Sequence, residues 1–214
     1  MDSKILGVYP SSSGNEITVC TQRESYCITR RDFEDMGFSA EFDENEGAPL
    51  SEETLEQLDF LAKKLSCVKY AQYLLGFGDK SERALLLKLS SKGYEKEVCA
   101  GALDILKRNG VVDDTRLCAH KAALLFSEKH FGPYRLKKEL CARGFDSKTV
   151  QDTLDSQNFD YSEGINLLFS KLARGKDLQD EKVKKKLFSK LNYYGYSYSD
   201  VSELFSEYAE DEDF

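Results

Sequence analysis

The sequence lacks several features that enzymes, metalloproteins and membrane proteins use. It has no tryptophan, and no apolar run reaches the length of a membrane span, so we expect no membrane segment. Its two histidines, His120 and His130, have no acidic or cysteine partner at metal-ligand spacing, and no G-x-x-x-x-G-K-S/T phosphate loop occurs. We therefore expect no metal, no cofactor and no catalytic constellation. A binding protein is favoured over an enzyme.

The six cysteines also lack a C-x-x-C pair. Most of them lie within apolar stripes, which predicts buried, reduced thiols rather than disulfides. The start Met1-Asp2-Ser3-Lys4 leads into strand-like sequence rather than into a signal peptide. Both observations predict a cytoplasmic protein.

Acidic residues outnumber basic ones, but the excess lies at one end of the chain. Residues 1–66 carry the whole net charge of -8, and the remaining residues are neutral overall. Within the neutral part, residues 116–150 and 171–190 are basic. Because the charge is segregated, an acidic total does not exclude a polyanionic partner.

One pattern occurs three times, with a constant step of 51 residues: Leu-x-x-x-Leu-x-x-x-Gly followed by an aromatic residue. The copies are Leu85–Tyr94, Leu136–Phe145 and Leu187–Tyr196. Two leucines four apart share one helix face, and a glycine one turn later can end that helix. An apolar pair four residues apart then predicts a second helix. With the helix before each pattern, every copy is predicted to be a three-helix repeat.

The predicted fold is mainly α, with tandem three-helix repeats in an elongated array and a small N-terminal β-hairpin or meander. The predicted N-caps of individual helices are Ser51, Asp79, Asp113 and Asp146. The predicted divisions are 1–50, a β-rich piece with an acidic linker over 39–49; 51–110, the first repeat; 111–160, the second; and 161–214, the third with an acidic tail.

Basic side chains of the second and third repeats are the candidate partner-binding residues. In the second repeat they are Arg135, Lys137, Lys138, Arg143 and Lys148. In the third repeat they are Lys182, Lys184, Lys185 and Lys186, preceded by Lys171 and Arg174. As a set they suit an extended polyanionic or acidic partner, whereas for any single lysine a solvated helix face is the better interpretation.

Three further motifs occur in a fixed order along the chain. These are K-L-x-x-K-G at Lys88–Gly93, G-x-x-D-D at Gly110–Asp114 and G-P-x-x-L-x-x-E-L-x-x-x-G at Gly132–Gly144. Together with the repeats, over about residues 67–205, the set resembles the bacterial RecX family, regulators of the RecA recombinase. The sequence departs from the family pattern at Phe77–Lys80, where an arginine-rich turn is expected, and at Ala84, which replaces a glutamate.

The resemblance implies a non-enzymatic protein that lies in the helical groove of a RecA–DNA filament. It implies inhibition of strand exchange and of the co-protease activity, with the basic residues facing DNA phosphates or an acidic recombinase surface. We expect a monomer whose partners are the RecA filament and DNA within or beside it.

An independent DNA-binding or scaffolding repeat protein is the alternative, because a helix, a glycine turn and a helix also resemble a helix-turn-helix reader. A helix-turn-helix motif that binds DNA in this way needs basic residues at the start of its recognition helix. The third helices begin with acidic or neutral residues, at Glu95–Glu97, Asp146–Lys148 and Ser197–Asp200. Catalysis at Asp113 and Asp114 is a more distant alternative, because carboxylates at a helix start are more often caps.

Overall fold

The structure, a computed structural model, describes residues 3–39 and 41–211. Residues 1, 2, 40 and 212–214 lie outside the described part, and they include one residue of the predicted linker and the end of the predicted acidic tail. The described residues form ten α-helices and four β-strands, which confirms a mainly α protein with a small N-terminal antiparallel sheet. No helix in this part is both long and apolar enough to cross a membrane.

Two compact units make up the described chain. The first contains the residues up to Lys80 together with Leu85–Val112, and the second contains Ser81–Ala84 and the residues from Asp113 onward.

The N-terminal sheet is antiparallel, with strand order β3-β2-β1-β4. Its strands are β1 (Ser3–Pro10), β2 (Glu16–Thr21), β3 (Ser25–Thr29) and β4 (Pro49–Leu50). The register places Val8 opposite Val19 and Val19 opposite Tyr26, so these side chains share one buried face. The first three strands confirm the predicted meander, and β4 adds an edge that the sequence did not predict.

The segment 39–49 differs from the predicted acidic linker, because it contains a 3-10 turn at Phe42–Asn45 and leads into β4. Backbone hydrogen bonds hold it to β1: Ile5 N–H donates to the Ala48 carbonyl (3.0 Å), and Gly47 N–H donates to the Ile5 carbonyl (2.8 Å). These partners lie more than forty residues away in sequence. Local composition showed the acidity of the segment but could not show this pairing.

In the described part of the chain, one α-helix lies between β3 and β4, and nine more follow β4. Their bounds are α1 Arg30–Asp35, α2 Glu52–Leu75, α3 Glu82–Ser91, α4 Lys96–Arg108, α5 Asp114–Lys129, α6 Pro133–Ala142, α7 Ser147–Ser156, α8 Tyr161–Ala173, α9 Glu181–Tyr193 and α10 Tyr198–Asp211. Helix α1 was not predicted, because six residues are too few to display a helical period. Each predicted repeat contains three helices: α2 to α4, α5 to α7 and α8 to α10.

Side-chain caps fix most of the predicted helix starts. Ser51, Asp113 and Asp146 each accept a hydrogen bond from a backbone N–H in the first turn of the helix that follows, as predicted. The prediction that Asp79 caps α3 is wrong. The cap is Ser81, whose hydroxyl accepts the backbone N–H three residues further on, at 3.3 Å.

In the first compact unit, α2 links the sheet to the helices. The sheet packs on the first half of α2 through a core that includes Phe33 and Leu58, and the second half of α2 packs with α3 and α4. Cys67 and Cys99 lie in this second core, where burial and then the neighbouring Cys99 thiol raise the pKa of Cys67 to about 12. All six cysteines are free thiols, which agrees with the prediction of reduced thiols, although Cys27 is exposed.

The leucine pairs of the three repeated patterns are all buried, as the four-residue spacing predicts. The glycine that follows each pair has a positive φ: +101° at Gly93, +96° at Gly144 and +99° at Gly195. L-residues rarely adopt this conformation, so glycine permits the sharp exit from each helix. The predicted helix, glycine turn and helix are therefore present in each copy.

In the second compact unit, the start of one helix packs against a glycine turn at two places. At the first place, the Ser81 hydroxyl donates to the Arg143 carbonyl (2.7 Å), and a Cβ added at Gly144 would lie 2.6 Å from that hydroxyl oxygen. Glu82 N–H donates to the Asp114 carboxylate (2.9 Å) in the same contact. The Ser81 hydroxyl thus has an acceptor on the neighbouring turn, and the Glu82 N–H has one on α5.

The second place repeats the first, because Gly132 and Gly195 each lie 51 residues after Ser81 and Gly144. Gly132 N–H donates to the Tyr194 carbonyl (2.9 Å), and Tyr134 N–H donates to the Gly195 carbonyl (3.2 Å). A Cβ at Gly195 would overlap the backbone nitrogen of Arg135. Glycine at position 195 therefore permits both the positive φ of the turn and the close approach of the start of α6.

Alanine at Gly195 should destabilise the protein more than alanine at Gly93. Both substitutions strain a positive φ, at a cost of about 1–3 kcal/mol, but only Gly195→Ala also inserts a methyl group into an occupied contact, which adds roughly 1–3 kcal/mol. Urea unfolding followed by circular dichroism measures both costs. Equal losses of stability in the two variants would contradict the close contact at Gly195.

Candidate partner-binding surface

One face of α9 concentrates positive charge. Helix α9 begins after Asp180, whose carboxylate accepts the Lys182 N–H (2.8 Å), and it buries Leu187 and Leu191. Because the buried side is fixed by these leucines, the residues on the opposite side point outward. They line a shallow depression of about 460 Å³, formed by Lys185, Lys186, Ser189, Lys190 and Tyr193. We call these five residues the α9 basic face.

Tyr193 is the aromatic member of this face, and 62% of the residue is exposed. The Arg135 guanidinium lies over its ring, with the guanidinium carbon 4.7 Å from the ring centroid. The same guanidinium lies 5.5 Å from the centroid of Phe131 and forms an ion pair with Glu139 (2.7 Å). Arg135 therefore stabilises the position of Tyr193 through its contacts with α6 and α9.

The candidate residues of the second repeat differ in their surroundings. The Arg135 side chain is only 20% exposed and already has the partners described above. Lys137, Lys138, Arg143 and Lys148 are exposed, and Lys137 also donates to the Gln151 side chain (3.0 Å). All five residues remain predicted contacts, and Arg135 also supports the surface through its contacts with Tyr193 and Glu139.

In the third repeat, the structure brings Lys185 and Lys186 together on the α9 basic face. Lys182 is exposed one turn before Lys186 on the same helix. Lys184 points to another side, where it is half-buried and pairs with Glu181 (3.4 Å). The sequence prediction omitted Lys190. Its spacing of four residues from Lys186 was the available signal.

This face is suited to an anionic ligand. Lys185, Lys186 and Lys190 provide three ammonium groups beside one exposed aromatic ring. Lysines neutralise phosphate or carboxylate groups, and an exposed ring can stack on a nucleic-acid base. Among the described residues, no group of three or more His, Cys, Asp or Glu side chains is placed to hold a metal ion.

Comparisons with known proteins bear on both the fold and the family. No protein-family model matches the chain. A Haemophilus ducreyi protein named Regulatory protein RecX is 32% identical over 108 residues, which cover 50% of this chain and 71% of that protein. A Vibrio parahaemolyticus protein with the same name is 28% identical over 152 residues, covering 71% of this chain and 96% of that protein.

Two solved structures have a similar fold. A crystal structure of regulatory protein RecX matches with a TM-score of 0.75 at 16% identity, covering 96% of this chain and 99% of the other. The crystal structure of RecX from Lactobacillus salivarius matches with a TM-score of 0.60 at 17% identity, covering 68% and 96% of the two chains. At these identities the structural likeness is evidence for the fold alone.

The fold and the surface define the class: a mainly α-helical protein with a small N-terminal sheet and a lysine-rich helix face. The sequence relatives identify the family, because one of them exceeds 30% identity over more than two thirds of its length. The chain belongs to the RecX family. The resemblance found in the sequence motifs is confirmed.

Replacing Arg135 by alanine should destabilise the protein by about 1–2 kcal/mol, because the guanidinium contacts two aromatic rings and a carboxylate. Lys138→Ala is the matched control, since Lys138 is an exposed cation on the same helix. The free energy of unfolding in urea gives both values. A loss at Arg135 no larger than that at Lys138 would exclude the supporting role.

Proposed function

We propose that this protein is a non-enzymatic regulator that binds the RecA recombinase filament and inhibits strand exchange and co-protease activity. Membership of the RecX family is the observation that carries this proposal, since its relatives are named regulatory proteins. The protein acts as a monomer in the cytoplasm. It binds in the helical groove of the filament, where DNA phosphates and recombinase side chains are both within reach.

The α9 basic face is the part of the surface that we assign to the filament. Its three lysines supply positive charge to a ligand with regularly spaced phosphates, and Tyr193 supplies an exposed ring. The cation–π contact between Arg135 and Tyr193 holds the ring in place before binding. Less conformational entropy is then lost when the complex forms.

Direct binding to single-stranded DNA is the second candidate function. It is favoured by one feature, the placement of an exposed tyrosine among lysines, because this combination also binds single strands without a recombinase. The two candidates differ in whether RecA is needed for tight binding. Bare single-stranded DNA and RecA-coated single-stranded DNA are therefore compared in the same experiment.

Reversing the charge of the α9 basic face should weaken filament binding. For Lys185→Glu/Lys186→Glu/Lys190→Glu, we expect the Kd for RecA-coated single-stranded DNA to rise by at least about 10-fold at low salt. The dependence of log Kd on log salt should become less steep by about 2, because three phosphate contacts are lost. Fluorescence anisotropy of the labelled protein over a salt series measures both quantities.

A matched control carries the same charge change at exposed lysines elsewhere: Lys88→Glu/Lys96→Glu/Lys129→Glu. It should leave affinity and salt dependence close to those of the unchanged protein. Equal weakening by both triple variants would mean that only net charge matters, which would refute the assignment to α9. Equal affinity of the unchanged protein for bare and RecA-coated DNA would favour the second candidate.

A further inference from the structure

Two of the three repeated glycine turns are occupied by a helix start of the chain itself. The Gly144 turn receives Ser81, and the Gly195 turn receives Gly132. The third turn, at Gly93, has the same backbone conformation, with φ +101°. A Cβ added at Gly93 would meet no atom of the described residues within 4 Å. The position that is filled at two turns is therefore open at the third.

This open position is a concave site in the first compact unit. It has a volume of about 340 Å³ and is lined by Lys63, Lys92, Gly93, Tyr94, Glu95 and Val98, which we call the Gly93 socket. Its wall is fixed in place, because the Tyr94 hydroxyl is hydrogen-bonded to the Ser66 hydroxyl (3.0 Å) and Val98 is buried. The Lys92 ammonium lies over the Tyr70 ring, 5.5 Å from its centroid.

The backbone of the socket offers acceptors. At the occupied turns, the carbonyls of Arg143, Tyr194 and Gly195 accept hydrogen bonds from a helix start. Lys92 and Gly93 hold the corresponding positions in the first repeat, and no donor among the described residues hydrogen-bonds to their carbonyls. These carbonyls lie at the C-terminal, negative end of α3, so they favour a ligand that presents N–H groups.

The charge of the socket differs from that of the Gly144 turn in one respect. Asp114, whose carboxylate accepts the Glu82 N–H at the Gly144 turn, lies 51 residues after Lys63. The socket therefore has the Lys63 ammonium group at the position where the Gly144 turn has the Asp114 carboxylate. Lys63 lies 2.6 Å from Asp59 and 3.7 Å from Glu95, and its side chain is 48% exposed. Together with Lys92, it favours a ligand that also carries a carboxylate.

A second copy of this chain would present the start of α9 to the socket. There Asp180 caps the helix and Glu181 lies in the first turn, and both residues are exposed. Lys182 follows directly and would bring a further positive charge to Lys63 and Lys92. The charges therefore favour a partner protein over a second copy.

We propose that the Gly93 socket binds the N-terminal end of a helix on a partner protein, one with a small capping residue and a carboxylate in its first turn. The contact copies the two that the chain makes internally, with Lys63 and Lys92 facing the carboxylate. The identity of the partner rests on the proposed function, in which the partner protein is the RecA protomer of the filament. The socket is then a second contact, separate from the α9 basic face.

Photo-crosslinking of the full-length chain to RecA filaments on single-stranded DNA tests this proposal. One variant carries p-benzoylphenylalanine in place of Glu95, which lines the socket and is exposed, and the control variant carries it in place of Lys190. We expect the Glu95 variant to link to RecA at the start of a helix, as identified by mass spectrometry. Links from Lys190 alone would overturn the socket proposal while keeping the proposed function. Links from neither position would contradict the proposed function itself.

An affinity measurement provides an independent check. We expect Lys63→Glu/Lys92→Glu to raise the Kd for the filament by about 10-fold, while Lys88→Glu/Lys96→Glu, exposed lysines of the same unit outside the socket, leaves it unchanged. Equal effects of the two double variants would overturn the socket. Sedimentation velocity of the unchanged protein should give a monomer, and a dimer abolished by Lys63→Glu/Lys92→Glu would mean that a second copy is the occupant.

Discussion

The close contact between a helix start and a glycine turn is the constraint on which the second compact unit depends. It requires a positive φ at Gly144 and Gly195, and it requires that neither residue carry a side chain. In return, donors at the start of one helix bond to carbonyls at the end of another: the Ser81 hydroxyl at the first contact, and the Gly132 and Tyr134 N–H groups at the second. The step of 51 residues in the sequence corresponds to this repeated contact.

The same contact brings the candidate surface together. Because Arg135 follows the Gly132 helix start that packs on the Gly195 turn, its guanidinium reaches Tyr193 at the end of α9. The ring therefore lies beside Lys186 and Lys190 in a defined position rather than moving freely in solvent. Arg135, which the sequence analysis counted among the partner-binding residues, thus stabilises the Tyr193 ring beside the lysines of the α9 basic face.

Much of the fold could be predicted because the signals are local. Leucines four apart, a glycine one turn later and the caps at Ser51, Asp113 and Asp146 each act within one helix or turn. Strand β4, the role of Arg135 and the grouping of Lys190 with Tyr193 depend on contacts between separate elements or on helix orientation. Composition and charge blocks do not encode these contacts, so the candidate surface was predicted as a list of lysines rather than as one face.

The central claim, action on the recombinase filament, is tested most directly by ATP hydrolysis of RecA on single-stranded DNA. The protein is titrated well below the RecA concentration, since a filament regulator acts on many protomers at once. The account predicts a fall in the hydrolysis rate at these low ratios. An unchanged rate at saturating protein, with binding to bare single-stranded DNA retained, would contradict it.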